Sequence, residues 1–348
     1  MSNLNSYQDS IKDFFCEYDI EFRKDILKKD WDNMIEKNCS YFPYEFSSSS
    51  IDYQIEYQKN LLESIQDLSF ILSLNNQKYC FFYFSLITKK NKPYLISFNG
   101  PHANSIVSPL ISKHITRTIE KKIIKIFYNY LITLKKKNFN QIIIRESQCE
   151  NKSLSFFGNT LLSNNFNLNL LFISYLNITD IIYYQTNIRK SYKSLINTTL
   201  KKISYSIIDY DCKELYLIKD LHKEISGKQT RSDKTWSMQF EEIINKGGFV
   251  INTYINKKIC SASMFLYSCD EVIYASGAYK DIDKLYLGHA SQDIAIRKII
   301  SLNKRWYRIG EMPYSFYKMD HHSNKMKNIA KFKNGFSSDT IPTYIYND

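Results

Sequence analysis

The chain has 348 residues, of which 44% are hydrophobic and 15% aromatic, with only 9 Gly and 6 Pro. This excludes a disordered, collagen-like or linker-dominated protein and points to two folded domains of ordinary size. Lys and Arg outnumber Asp and Glu by 47 to 35, a net charge of +12, which suits an anionic partner without choosing among nucleic acid, nucleotide, CoA-like cofactor and membrane surface. The 28 Tyr and 22 Phe, beside abundant Ile, Asn and Lys, match the amino-acid usage of an AT-rich genome, so aromatic content alone carries no functional reading.

From the N-terminus, residues 1–45 read as short amphipathic helices without an apolar run of signal-peptide length, and the serine run 47–50 as a loose connection. A helix near 55–65 precedes three short apolar runs, 68–74, 79–88 and 94–98, punctuated by Asn75-Asn76 and Asn91-Lys92-Pro93. Such runs are expected to form an antiparallel meander. From Ile111 the spacing changes to three and four residues through Leu134, the stripe of a long amphipathic helix. Its end carries Lys135, Lys136 and Lys137, cations that complement a helix dipole without binding anything. A buried strand at 141–145, a helix at 154–162 and a strand at 168–176 follow.

The second half opens with a basic segment, 189–202, then a strand at 203–208 and two helices, the second announced by the Ser232-Asp233 cap signal and halted by Gly247-Gly248. Strands at 249–255, 259–267 and 271–276 turn at Asn256-Lys257 and at 268–270. A largely apolar helix at 288–302, a strand at 306–309, a helix from about His322 to Phe332 and a strand at 343–346 complete the chain. Helices feeding a three-strand meander, then helix, strand, helix, strand, occur in both halves, which implies a structural duplication. No apolar stretch is long enough to span a bilayer. The seven Cys are dispersed without a C-x-x-C pair, and a reducing cytoplasm is the expected setting.

Three segments carry a resemblance. They are Arg189-Lys190-Ser191-Tyr192-Lys193-Ser194-Leu195-Ile196-Asn197, then Gly227-Lys228-Gln229-Thr230-Arg231-Ser232 with Thr235-Trp236, and Asn328-Ile329-Ala330-Lys331-Phe332-Lys333-Asn334-Gly335-Phe336. With the element order, they resemble the FemAB-like acyltransferases, a group with the GNAT fold whose C-terminal Phe-Lys-x-Gly-Phe pattern the last segment matches. The resemblance implies an α/β mixed-sheet fold of two tandem GNAT-like domains: an N-terminal helical segment at 1–45, a degenerate first domain at 46–186 and a motif-bearing second domain at 187–348. It implies an N-acyltransferase that moves an acetyl, other acyl or aminoacyl group onto an amine of an amino sugar, nucleotide-sugar or peptidoglycan precursor. Acyl-CoA, such as acetyl-CoA, is the favoured donor and aminoacyl-tRNA the other. The glycine-rich pyrophosphate loop of CoA-binding GNAT domains is missing from 277–289.

Acyl transfer to an amine requires a neutral nucleophile, a positioned carbonyl, oxyanion stabilisation and a route for the proton. Lys333, between Phe332 and Phe336 beside Gly335, either holds a phosphate or oxyanion while Gly335 permits close backbone approach, or is solvated on a basic helix. Arg231, before a capped helix, either grips an anion or lies in a polar loop. Trp236 shares a helix face with Phe240 and Ile243 and reads as core or as acceptor pocket; Tyr279 and Phe332 are further expected substrate contacts. His289 at the start of a helix is a base or a structural histidine, and Glu311 at a strand end is a proton acceptor or an ion-pair partner. Asp320-His321-His322 lacks a third ligand in suitable geometry, so no metal is expected. The alternative function is a tRNA- or RNA-binding protein without catalysis, resting on the net charge and on 189–202, although the apolar residues interleaved there read as a domain connector. A membrane-surface scaffold lacks a basic helix with an aromatic face.

Overall fold

The computed structural model describes residues 4–59, 64–89, 92–97, 105–136, 142–147, 154–179, 181–312 and 323–348. Asn91, Lys137, Gln141, Cys149 and Asp320-His321-His322 lie outside them. The elements, in order, are α1 (Leu4–Phe14), β1 (Asp19–Phe22), α2 (Lys28–Asn38), α3 (Ser48–Lys59), β2 (Ser64–Asp67), β3 (Phe70–Leu74), β4 (Gln77–Phe82), β5 (Ser85–Lys89), β6 (Lys92–Ile96), β7 (Ser105–Val107), β8 (Leu110–Ile111), α4 (Arg117–Lys136), β9 (Ile143–Ser147), α5 (Phe156–Ser163) and β10 (Asn167–Asn177). There follow α6 (Ile181–Asn187), α7 (Lys190–Leu200), β11 (Ser204–Ile208), α8 (Lys213–Ser226), α9 (Asp233–Ile244), β12 (Gly248–Ile255), β13 (Lys258–Tyr267), β14 (Glu271–Tyr279), α10 (Leu287–Ser301), β15 (Trp306–Met312), α11 (Asn324–Asn334) and β16 (Asp339–Asn347).

The chain divides into two compact units, Met1–Leu171 with Pro342–Asp348, and Phe172–Ile341. The expected boundaries at 45/46 and 186/187 therefore need correcting. Ile11, Phe15 and Phe22 from the N-terminal segment share one core with α4 and α5, so that segment is no separate element. The succession α4–β9–α5–β10 in the first half corresponds to α10–β15–α11–β16 in the second, as a duplication implies. The closing strands are exchanged: β16 pairs with β9 in unit 1, Thr343 opposite Ser147 and Tyr346 opposite Ile144, while β10 pairs with β15 in unit 2. Local periodicity carries no signal of where a strand will pair, which is why the sequence placed the last strand with its neighbours in the chain.

In unit 1 the buried stripe of α4, Ile123, Phe127, Tyr130 and Leu134, packs among Phe82, Phe84 and Phe157, with the Phe82 and Phe127 rings 4.8 Å apart. The helix starts six residues later than the spacing suggested, because Leu110–Ile111 is a strand beside β4. The expected strand 79–88 is two strands in different sheets, β1-β3-β4-β8 and β2-β5-β6. Tyr83 and Phe84 make the break: Ser97 Oγ donates to the Tyr83 carbonyl at 2.5 Å and Leu68 N to the Phe84 carbonyl at 3.0 Å, so neither continues the ladder. Turns at Asn75-Asn76 and Asn256-Lys257 do form, both residues of each pair at positive φ, as two-residue hairpins demand. The serine run begins α3 instead of loosening the chain. Ser47 Oγ accepts from Ser50 N and Asp32 from Ser48 N, which caps the helix.

Unit 2 is built on the strand order β11-β12-β13-β14-β15-β10, antiparallel except for β14 against β15. Strand alternation assigns its two faces. Phe249 and Ile251 of β12 join Ile294, Ala295, Ile296 and Ile299 of α10 in one core, whereas Asn252 points the other way and donates to the Glu214 carbonyl of α8 at 2.8 Å. Among the described residues no helix is long and apolar enough to cross a membrane.

The Arg145–Glu45 ion pair of unit 1 is buried on both sides, at 6% and 5% exposure. Replacing Arg145 with Met leaves a carboxylate without its cation, and about 3–5 kcal/mol of unfolding free energy should be lost in denaturant titrations. A loss under about 1 kcal/mol would show that Glu45 is balanced by other groups.

Candidate functional site

Strands β14 and β15 pair over only three positions, Glu271 with Trp306, Val272 with Tyr307 and Ile273 with Arg308, although both run on to Tyr279 and Met312. Past that point β14 stays on β13, with a register shift between Met264 and Phe265, and β15 stays on β10, with Gly310 opposite Ser174 and Glu311 opposite Ile173. Two parallel strands that part at their carboxyl ends leave a crevice, the usual location of ligands in α/β sheets.

Four features occupy this crevice. Tyr274 and Tyr279 come from β14, their hydroxyls 2.8 Å apart, with the Tyr279 hydroxyl also 2.8 Å from Ser263 Oγ. Gly310 comes from β15, with φ at +144°. Lys333 comes from the last turn of α11: a Cβ on Gly310 would lie 2.6 Å from its Nζ, and that Nζ lies 5.4 Å from the centre of the Tyr274 ring. Glycine at 310 thus satisfies a left-handed backbone and a close approach by the ammonium together. Gly277 plays a related part, since a Cβ there would come within 1.8 Å of the Tyr274 hydroxyl. Burial pulls the Lys333 pKa down from its ordinary value and Glu311 opposes this. No ion pair to Lys333 within 4 Å occurs among the described residues, so its ammonium meets an aromatic face and a nearby, uncontacted carboxylate. Burial pushes the Tyr274 and Tyr279 phenols up, so both are neutral donors at physiological pH.

Behind Lys333 the first and third motif segments meet. Arg189 N donates to the Gly335 carbonyl at 2.9 Å, and the Arg189 guanidinium, 5.0 Å over the Tyr192 ring, donates to the Tyr192 hydroxyl at 3.1 Å. That hydroxyl donates to the Phe332 carbonyl at 3.2 Å. Tyr192, His289, Phe332 and Phe336 form one aromatic group, with Tyr192 and His289 ring centres at 4.4 Å and His289 and Phe332 at 4.7 Å. Gly335 is needed here for Tyr192, whose ring would lie 2.2 Å from an added Cβ; the close approach that its motif position suggested is made by a side chain. Burial, with a smaller contribution from Arg189, lowers the His289 pKa to about 4. At neutral pH His289 is an uncharged ring in an aromatic cluster.

The middle segment builds a separate group. Gly227 ends α8 at φ +69° and Ser232 caps α9, its side chain accepting from Thr235 N. The Arg231 guanidinium stacks 3.5 Å over Trp236 and donates to Gln239 Oε1 at 2.6 Å. Trp236 is 3% exposed and lies against Phe240, which makes it core. A cavity of about 180 Å³ beside it is lined by lysines and aspartates together, Lys219, Lys223 and Lys228 with Asp220 and Asp233, and by His222. The structure thus gathers Lys333, Glu311 and Tyr279 at the crevice, with Phe332 and His289 behind, and leaves Arg231 and Trp236 in their own cluster. Sequence reading passed over Tyr274, Gly277 and Gly310. A glycine inside a strand pattern, beside a carboxylate, is the signal that marked Gly310.

No protein-family model matches the chain, and no curated protein matches it in sequence. Solved structures do. FemX aligns at a TM-score of 0.64 and 10% identity, over 94% of this chain and 97% of FemX. The C-terminal domain of a putative lysylphosphatidylglycerol synthetase from Agrobacterium fabrum aligns at 0.57 and 7%, over 92% and 90%, and L-PGS from Bacillus licheniformis at 0.55 and 7%, over 91% and 90%. At such identities it is the fold that is shared, and it is the two-unit α/β fold that the element order implied.

His289 makes unit 2 acid-sensitive. Its folded pKa, about 4, lies below the ordinary value of 6.5, so between these pH values the unfolded chain binds the extra proton and stability falls as pH drops. His222, lowered by burial and Arg231, acts in the same direction. Thermal melts of His289→Phe between pH 7 and 4 should show a shallower loss than the parent; an unchanged slope would remove His289 from this role.

Proposed function

We propose that this protein transfers an acyl or aminoacyl group from an activated carboxyl donor to an amine, and that the reaction takes place at the parting of β14 and β15. The observation that carries this reading is the Lys333 ammonium, held between Gly310 and the Tyr274 ring with no ion-pair partner within 4 Å among the described residues. A cation seated in a desolvated gap is positioned for a charge that exists only during reaction.

The chemistry follows from the groups present. A neutral amine attacks the donor carbonyl, a C–N bond forms, and negative charge collects on the carbonyl oxygen, where the Lys333 ammonium stabilises it. Glu311 accepts the proton from the amine, directly or through water, and collapse of the intermediate breaks the C–O or C–S bond, the ribose oxygen of an aminoacyl-tRNA or the sulfur of an acyl-CoA leaving with the proton that Glu311 returns. Tyr279, a neutral phenol at the same opening, is suited to donate a hydrogen bond to the substrate. His289 takes no part as a base, because its ring is packed among Tyr192, Phe332 and Phe336 behind Lys333 and away from the opening. Arg231 and Trp236 are left as a packing pair at the edge of a cavity of mixed charge.

Aminoacyl-tRNA is the donor we favour over acyl-CoA. Two N–H groups between β14 and α10 are tied to the protein itself: Lys280 N donates to the Cys260 carbonyl, and Tyr286 N to Thr199 Oγ1 at 3.0 Å. Neither N–H is free for a CoA pyrophosphate, and 277–289 has no glycine loop to supply others. The name lysylphosphatidylglycerol synthetase, given to the Agrobacterium fabrum protein of this fold as a putative one, also favours an aminoacyl group. The acceptor is an amine of a glycan or cell-wall precursor on the family resemblance, and a lipid headgroup is the competing acceptor. Acyl-CoA remains the second reading, on the resemblance to glycan-modifying members of the group.

Incubation with charged tRNA and, separately, with acetyl-CoA, each with a panel of amines, tests the donor by product mass. Transfer from charged tRNA that ceases after the ester is hydrolysed is expected; transfer from acetyl-CoA alone would reverse the donor assignment, and no transfer with binding of uncharged tRNA would favour the RNA-binding alternative. With the donor in hand, Lys333→Met should lower kcat and kcat/KM together by about 2–4 kcal/mol in barrier terms. A rise in KM at constant kcat would make Lys333 a ground-state phosphate holder.

A further inference from the structure

We propose that Tyr274 is the positioning residue for Lys333: its ring face seats the ammonium at the crevice, and a hydroxyl chain through Tyr279 and Ser263 fixes the ring. The functional meaning of this seat rests on the transferase reading, but the seat itself is a property of the folded chain.

Three observations converge on it. The Lys333 Nζ stands 5.4 Å from the Tyr274 ring centre, inside the distance at which a cation is attracted by an aromatic quadrupole, and away from water this attraction is at its strongest. The ring is fixed at its far end, Tyr274 hydroxyl to Tyr279 hydroxyl at 2.8 Å and on to Ser263 Oγ at 2.8 Å, so it cannot turn aside as substrate enters. Finally, two glycines clear the space: Gly277 for the Tyr274 hydroxyl and Gly310 for the ammonium. Among the described residues, the other titratable or charged groups nearby are Glu311 on β15, which favours the charged lysine, and His289 on α10, which is uncharged at neutral pH and packs on the adjacent Phe332. Without the ring, burial would act on Lys333 against Glu311 alone, and the lysine would lose its proton more readily. A lysine that deprotonates cannot stabilise an oxyanion, so Tyr274 keeps the group both in place and charged.

The test reads Lys333 directly. Folded full-length protein is labelled with trace acetic anhydride across pH 6–11, and the modified fraction of Lys333 is measured by mass spectrometry against exposed Lys331 of the same helix. Tyr274→Leu should move the Lys333 profile to lower pH, with about a tenfold rise in neutral-amine reactivity below both midpoints, the size of a desolvated cation–π contact. Tyr274→Phe keeps the ring face but loses the hydroxyl chain that fixes it, and should move the profile in the same direction as Leu but by less. A graded series of fluorinated phenylalanines at 274 keeps ring size while draining charge from its face, and so remains informative if the Leu variant does not fold; the profile should move stepwise with fluorine content. Gly277→Ala, which displaces the Tyr274 hydroxyl, should shift the profile as Leu does. A profile unmoved by the Leu variant or by the fluorinated series overturns the proposal. Labelling involves neither donor nor acceptor: a profile that shifts in a protein without transfer activity counts against the transferase reading alone, and an unmoved profile in an active enzyme counts against Tyr274 alone.

Discussion

A sheet whose two parallel strands stop pairing after three residues has a gap in it, and the gap in unit 2 governs what the surrounding residues must be. Backbone groups that lose their ladder partners have to be met by other elements, and the space has to be lined closely enough to exclude most water. Tyr274 and Tyr279 line one strand and Gly310 opens the other. The last turn of α11 brings an ammonium between them. Seating a cation there costs solvation, which an aromatic face and a nearby carboxylate offset, with no ion pair to Lys333 among the described residues.

That arrangement explains why segments distant in sequence are coupled. Lys333 is placed by α11, and α11 is held at its C-terminal end by Arg189, just before α7, and Tyr192 in the first turn of α7. Gly335 is the small residue that lets the Tyr192 ring lie against the turn, and His289 fills the remaining side as a neutral aromatic. The third motif therefore depends on the first for its position, while the middle one, built around Arg231 stacked on Trp236, stabilises the α8–α9 layer on the other face of the sheet.

The order of elements was legible because the hydrophobic period changes cleanly from two to three-and-a-half, and because Asn75-Asn76 and Asn256-Lys257 mark hairpins whose positive φ values few other residues tolerate. Lys333 and Glu311 were legible as candidates from a motif and from a strand end. The exchange of β10 and β16 was not, since pairing partners are decided by tertiary contacts with no local trace. Neither was the break at Tyr83-Phe84, where side-chain hydrogen bonds to Ser97 redirect a strand that looks continuous. Tyr274 escaped for a different reason: in a chain with 28 tyrosines, one alternating with apolar residues in a strand looks like background, and only the ammonium above it and the glycine beside its hydroxyl distinguish it. His289 shows the reverse case, a residue whose helix-start position suggested a base and whose aromatic surroundings make it a packing group.

The central claim is that donor carbonyl and Lys333 ammonium meet in the gap between β14 and β15. A crystal structure with a hydrolysis-resistant aminoacyl-adenosine, an analogue of the charged tRNA end, tests it most directly. The carbonyl oxygen is expected at hydrogen-bond distance, about 3 Å, from the Lys333 Nζ, with Glu311 facing the opposite side of the carbonyl carbon. An analogue bound elsewhere, with the crevice closed over an unmoved Lys333, would contradict it.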